Sequence, residues 1–188
     1  GNVAVFVPSY DMMEAIIELA QWSRPVLMEK AEWTKADADR VLPQLEEARN
    51  MNNPMVILAT FGGRLAEGID YHDNLLCAVA CVGIPMAPPD AESDALRSYL
   101  ARTQTQEKVW RYAVVQPAVN RVLQAMGRPI RKSQDRALIL LIDARHIDRR
   151  YIESHPNPDS YVEARTPELT ARLAKRFFSN HPEQPSVS

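Results

Sequence analysis

The chain has 188 residues, 46% of them hydrophobic, and a formal net charge of −2. That is enough for one well-filled domain and too little for two large ones, and it excludes a globally basic nucleic-acid coat. The charge is uneven, however: between Arg121 and Arg150 eight basic residues stand against three acidic ones, a local positive excess balanced elsewhere in the chain.

Val3–Val7 opens the chain as a strand pattern. No basic region or cleavage-like segment precedes it, and a start inside a strand suggests a domain cut from a longer polypeptide. Pro8-Ser9-Tyr10-Asp11 then sets two hydroxyls at the start of a helix over Asp11–Gln21. Asp11-x-x-Glu14 forms a capping box there, with Met12, Ala15, Ile16 and Leu19 on one face. Free amides and the dipole at such a terminus favour a phosphate, and the same residues also make an ordinary cap. Val26–Met28 is a strand, and Thr34 to about Arg49 a helix with Ala38, Val41, Leu42 and Leu45 inward. The acidic residues from Glu29 to Glu47 read as a solvated face.

Met55–Ala59 is the next strand. It leads into Thr60-Phe61-Gly62-Gly63-Arg64-Leu65-Ala66-Glu67-Gly68-Ile69-Asp70, which holds three of the six glycines of the chain. A glycine-poor chain spends them on backbone conformation or close ligand approach. The apolar run Leu75–Ala87 is shorter than the roughly 20 residues of a spanning helix. It predicts a buried strand, Leu75–Val82, closed by Pro85, Pro88 and Pro89, and no membrane anchor. Cys77 and Cys81 lie within it as core thiols of a reduced, intracellular protein.

Helices follow at Glu92–Ala101 and Gln106–Met126, with Pro117 imposing either a break or a kink. Tyr99, Trp110 and Tyr112 have helical spacing and read as core in preference to base-stacking platforms. At Gln124-Ala125-Met126-Gly127-Arg128-Pro129-Ile130-Arg131, Gly127 suits a left-handed helix end and Pro129 keeps Arg128 out of helical geometry. Arg128 and Arg131 then project from a rigid loop as the fork of donors that a triphosphate needs. Ala137–Ile142 is the last strand. Arg145 is expected to pair with Asp143 or a neighbouring carboxylate, Ser154–Ser160 is a loop, and Pro167–Phe178 is a helix capped by Thr166. The polar segment 179–188 is expected to be a disordered tail, leaving 1–178 as the domain. His72, His146, His155 and His181 have no ligand spacing, so no metal is assigned.

Strands alternating with helices predict an α/β fold with a mostly parallel central sheet, and chemistry at the loops after the strands. Taken in order, the stretches Gly1–Tyr10, Gly63–Asp70, Gln124–Arg131 and Asp143-x-Arg145 resemble motifs IV, V and VI of the XPD-like and DinG-like helicases of superfamily 2. The resemblance covers roughly residues 1 to 151. Ala66 stands where that family usually has serine, so any contact of that hydroxyl is missing, and Ala137 stands where it usually has glycine.

The resemblance implies a RecA-like three-layer sandwich, the second motor domain of an ATP-dependent DNA helicase of 5′-to-3′ polarity acting in repair or replication. It implies an arginine finger at Arg131, assisted by Arg128, with Gln124 near the same phosphate or the attacking water. Gly68 and Asp70 would approach the nucleotide, and Ser9, Tyr10, Gly62, Gly63 and Arg64 the backbone of single-stranded DNA. ATP and Mg²⁺ would bind between this domain and a first RecA-like domain of the same chain. An iron–sulfur cluster would belong to that first domain, because Cys77 and Cys81 lie within a strand. The sequence has no Gly-x-x-x-x-Gly-Lys-Ser/Thr loop and no Asp-Glu-x-His cluster, so this fragment alone is not expected to hydrolyse ATP. The rival readings are a non-catalytic nucleic-acid-binding or scaffolding module and an unrelated nucleotide-binding α/β protein. The first has no need of the Gln124, Arg128 and Arg131 group, and the second needs a phosphate loop of its own.

Overall fold

The computed structural model describes residues 1–88 and 90–180. Strands β1 (Asn2–Val7), β2 (Val26–Met28), β3 (Val56–Thr60), β4 (Leu76–Val82) and β5 (Leu138–Ile142) form one sheet in the order β2-β3-β1-β4-β5. Every pairing is parallel. Each strand falls where the sequence places it, to within one residue at either end. β1 is central and covered on both faces, which is why it reads as a continuous apolar run. Ala4 and Phe6 pack with Ile57, Ala59, Val79 and Cys81 on one face, while Val7 packs with Leu58 on the other.

The first face is covered by α2 (Lys35–Asp39), α3 (Val41–Asn50), α4 (Arg64–Glu67) and α7 (Gln116–Met126), through Ala38, Leu45, Leu65 and Val122. The second is covered by α1 (Tyr10–Leu19), through Met13 and Ile16. The result is a three-layer α/β sandwich. At the amino edge of the sheet, buried Asn2 donates to the carbonyls of Leu45 (3.0 Å) and Leu75 (3.1 Å) and accepts from the Met55 amide (2.9 Å). One side chain thereby satisfies three backbone groups that would otherwise be buried unpaired.

Several helix boundaries differ from expectation. α1 is capped by Ser9, whose Oγ accepts from the Met12 amide at 3.2 Å, so Asp11 already lies in the first turn and the Asp11–Glu14 box does not form. Capping boxes lie instead at Thr34 and Asp37 and at Asp90 and Ser93. The single helix expected over Thr34–Arg49 is two, α2 and α3, meeting at Arg40. Pro43 has no N–H to donate to the carbonyl four residues back, which is that of Asp39.

α5 (Ala91–Leu100) is capped by Asp90, and α6 (Gln106–Trp110) runs through one π-helical turn, Arg111–Val115, into α7. The Gln116 amide donates to the Arg111 carbonyl. The wider turn gives room to Pro117, whose ring would press on the preceding turn of a regular helix. Gly127 is right-handed (φ −77°), not left-handed, because the chain leaves α7 through an ordinary tight turn. α9 (Pro167–Asn180) includes Ser179 and Asn180, which the sequence assigns to the tail; the rest of that segment, His181 and Pro89 lie outside the described residues.

A second apolar cluster joins Ile84, Val115, Ala118, Val119 and Tyr151. Trp110 packs against it, edge-on to Tyr151 at 5.7 Å, as a core residue. Tyr99 and Tyr112 are exposed.

His146 and His155, scattered in sequence, meet in this region. Their Nδ1 and Nε2 atoms lie 3.2 Å apart, and the Tyr161 hydroxyl is 3.2 Å from the remaining His155 nitrogen. Both rings are buried. Burial, reinforced by the second imidazole, pushes His146 down from 6.5 to about 4, and burial lowers His155 as well. Between these values the unfolded chain holds a proton that the folded chain refuses. The stability from this neutral pair is therefore complete above pH 6.5 and is lost as the pH falls toward 4. Urea unfolding at pH 7 and pH 4.5 is expected to show a loss of about 1–3 kcal/mol that is smaller in a His146→Phe variant; equal losses in the two proteins would remove the histidine contribution.

Candidate functional site

A parallel sheet delivers all its strand-end loops to one edge. There the loops after β1, β2 and β3 surround a cleft of about 420 Å³ lined by Tyr10, Glu29, Lys30, Trp33, Gly62, Gly63, Arg64 and Gly68 among others. Of the residues assigned to DNA from sequence, Tyr10 and Gly62–Arg64 converge on it. Ser9 stands beside it with its hydroxyl engaged in the α1 cap. Arg64 makes no ion pair among the described residues; its Nε donates to the Trp33 carbonyl.

Beneath the cleft lies Glu29, 1% exposed. One carboxylate oxygen accepts from the amides of Arg64 (2.6 Å) and Leu65 (3.2 Å), and the other from the amide of Thr60 (3.2 Å). The approach is so close that a Cβ on Gly63 would sit 2.1 Å from Oε2. Gly63 is thus required by this carboxylate. Gly68 is required by the chain itself, since a Cβ there would lie 2.7 Å from the Arg64 carbonyl oxygen. Glu29 does not belong to a solvated face. Its sequence signal was its place, directly after a strand at the edge where loops carry chemistry.

The segments around Asp70 and Arg131 are joined. Arg131 Nε lies 2.6 Å from Asp70 Oδ1, and Arg128 donates to the Ile69 carbonyl at 3.1 Å. Asp70 therefore engages an arginine. Tyr71, buried below, donates its hydroxyl to the Leu65 carbonyl, and burial raises its pKa. Asp135 fixes the arginine loop by accepting from the amides of Arg131 and Lys132, both at 2.7 Å. Arg128 is the more enclosed of the two arginines. Burial, followed by the Arg131 charge, lowers its pKa, and its Nε is buried with no partner among the described residues. Gln124 is exposed on the last turn of α7, one turn before Arg128. Arg145 pairs with Asp143 through both carboxylate oxygens, as expected from sequence.

Ala66 is buried in the main core. Cys81 is buried too, which pushes its thiol up to about 12. Among the described residues no group of three or more His, Cys, Asp or Glu side chains is arranged to hold a metal, and no helix is long and apolar enough to cross a membrane. A larger cleft of about 1120 Å³ lies between β5 and α9 and contains none of the candidate residues.

The strand-end loops of this α/β domain thus present a buried carboxylate, a glycine-shaped cleft and an arginine pair at one edge of the sheet. The chain belongs to the helicase C-terminal domain family, whose model matches residues 1–158. Within it the chain is XPD-like. It is 31% identical over 148 residues to ATP-dependent DNA helicase XPD of Sulfolobus acidocaldarius, covering 77% of this chain and 25% of that protein. It is 26% identical over 205 residues to ATP-dependent DNA helicase CHL1 of Kluyveromyces lactis, covering 95% of this chain and 24% of that protein. A solved structure titled XPD_Helicase superposes with a TM-score of 0.62 and 29% identity over 82% of this chain and 27% of that one. The chain thus spans about a quarter of the relatives it matches.

Gly127 shows which glycines the domain itself needs. A Cβ there would lie 3.5 Å from the Leu123 carbonyl oxygen, an ordinary contact, and the backbone is right-handed. Gly127→Ala is expected to leave thermal stability unchanged or raise it by about 0.5 kcal/mol through the unfolded chain. A loss above about 1 kcal/mol in calorimetry would show that the turn requires glycine after all.

Proposed function

We propose that this chain is the second motor domain of an ATP-dependent DNA helicase of 5′-to-3′ polarity, acting inside the cell in DNA repair or replication. The observation that carries the reading is the junction of Asp70 and Ile69 with Arg131 and Arg128. It sets two guanidinium groups side by side, beyond the exposed Gln124, on a loop that Asp135 holds in place.

In this reading ATP and Mg²⁺ lie between the present domain and a first motor domain, which supplies the phosphate loop and the acidic cluster that this sequence lacks. Domain closure brings Arg131 to the γ-phosphate. Its Nε is engaged by Asp70, which leaves the two terminal nitrogens to meet charge spreading over the phosphate oxygens in the transition state. Arg128, partly desolvated and with its Nε unpartnered among the described residues, adds a second positive group. Gln124 orients the attacking water or the same phosphate, and Gly68 allows close approach of the nucleotide beside Asp70. Asp70 has two oxygens, so a contact with the ribose is compatible with its arginine pair.

The cleft at Tyr10, Gly62, Gly63 and Arg64 binds the DNA backbone, with Ser9 at its edge. Contacts of this kind ignore sequence, as a translocating motor requires. Any iron–sulfur cluster belongs to the first domain. The names of the relatives support ATP and DNA as ligands, and the fragment alone is inactive because half of the catalytic apparatus lies elsewhere.

Arg131→Ala in the full-length protein is expected to lower DNA-stimulated ATP hydrolysis by about 10³-fold or more while nucleotide binding changes little. Normal turnover in that variant would remove the finger assignment. The isolated domain is expected to bind single-stranded DNA weakly, with log K falling against log salt by about 0.7 for each phosphate neutralised. Tight, salt-independent binding in a filter or anisotropy titration would point to base stacking instead.

A further inference from the structure

We infer that Glu29 is a positioning residue for DNA, the group that holds the Gly62–Arg64 loop in the shape a DNA backbone meets. The inference rests on the motor-domain reading above. Glu29 follows β2 directly, and its own amide donates to the Leu58 carbonyl at 2.9 Å, so its backbone is fixed by the sheet. Its side chain enters the interior with no basic partner among the described residues. The charge is satisfied wholly by backbone amides: Thr60 at the end of β3, and Arg64 and Leu65 at the start of α4. A carboxylate accepting several amide hydrogen bonds is a strong, directional clamp.

An ordinary helix cap would serve α4 differently. A Ser, Thr or Asp at the cap position itself would satisfy one or two of these amides locally. Here the cap position is Gly63, without a side chain, and the acceptor comes from 35 residues earlier in the chain. That arrangement keeps the cleft wall at Gly62–Gly63 bare while still fixing it from below. It also explains the chemistry of the residue. Both oxygens face N–H donors, so a glutamine would turn its NH₂ group toward a donor in either orientation. The one-turn helix α4 has little stability of its own; the Tyr71 hydroxyl bonds to the carbonyl of Leu65 within it, and the chain beyond it is held separately by Arg128 on Ile69. Loss of the Glu29 clamp therefore falls on the DNA side of the site and spares the nucleotide side.

The test is ATP hydrolysis by the full-length protein, titrated separately with single-stranded oligonucleotide and with ATP. Glu29→Gln is expected to raise the oligonucleotide concentration for half-maximal stimulation by about tenfold or more, with the KM for ATP within about twofold of wild type. Gly63→Ala, whose methyl group displaces the carboxylate, is expected to give the same split, and the double variant to be no worse than either single one. Amide exchange of the full-length protein without DNA is expected to be faster over 61–65 in both variants. Gly63→Ala and the exchange measurement carry the test if Glu29→Gln folds poorly.

An unchanged oligonucleotide requirement, or an equal rise in both constants, would overturn the positioning role. A lower melting temperature with a smaller active fraction but unchanged constants would make Glu29 a structural cap only. Wild-type protein whose turnover ignores DNA would instead defeat the motor-domain reading, a result distinct from a failure of Glu29 alone.

Discussion

An all-parallel sheet can be re-entered only from one end, so each strand must be followed by a crossover and each crossover must begin at the same edge. The rest of this molecule depends on that constraint. β1, β2 and β3 end side by side, and the loops leaving them have no choice but to meet. The cleft at Tyr10, Glu29 and Gly63 is the meeting place. α7 returns along the face already occupied by α4, which brings the arginine loop onto Ile69 and Asp70 although 59 residues separate Arg128 from Ile69. At the opposite edge Asn2 joins the starts of β1, β3 and β4 to α3, so the register that sets the functional edge is fixed from behind.

The two charged contacts at that edge differ in strength, and the difference suits their proposed roles. Glu29 is enclosed and has no cationic partner among the described residues, so its charge is held by directed amide bonds and cannot be released without leaving a buried ion. Asp70 and Arg131 are substantially exposed, with side chains 74% and 37% accessible. A pair in that setting contributes about 0–1 kcal/mol, enough to bias the direction of the guanidinium and too little to withhold it from a phosphate. One carboxylate fixes a wall while the other loosely aims an arginine.

The strands were legible because their apolar runs and breakers are local signals, and parallel burial leaves no alternation to misread. Differences arose where one local signal overrode another or where a tertiary contact replaced the local rule. Ser9, rather than Asp11, caps α1 because the helix turns in two residues sooner on leaving β1. Pro43 divided a helix whose apolar spacing was continuous. His146 and His155 have no recognisable spacing because the chain reverses between them, and only the folded loop brings the rings together. Glu29 was hidden by its neighbours: in a sequence rich in surface acids, nothing but its position after β2 separates a buried carboxylate from a solvated one. The arginine pair, by contrast, was visible because Pro129 follows Arg128 and restricts its backbone at the end of a helix.

The glycines carry the last distinction between what the domain needs for itself and what it offers outward. Gly63 and Gly68 are demanded from within, by the Glu29 carboxylate and the Arg64 carbonyl. Gly62 and Gly127 are not: a methyl group on Gly62 would meet nothing within 4 Å, and one on Gly127 would make only ordinary contacts. Both also have ordinary backbone angles, since the only positive-φ glycine among the described residues is Gly83. Gly62 lines the cleft, and Gly127 adjoins Arg128, whose buried Nε lacks a partner among the described residues. On the proposed reading, these bare positions are where another surface comes close, DNA at Gly62 and the nucleotide with the first motor domain at Gly127. A side chain there would cost the isolated domain nothing and would be felt only when the motor closes.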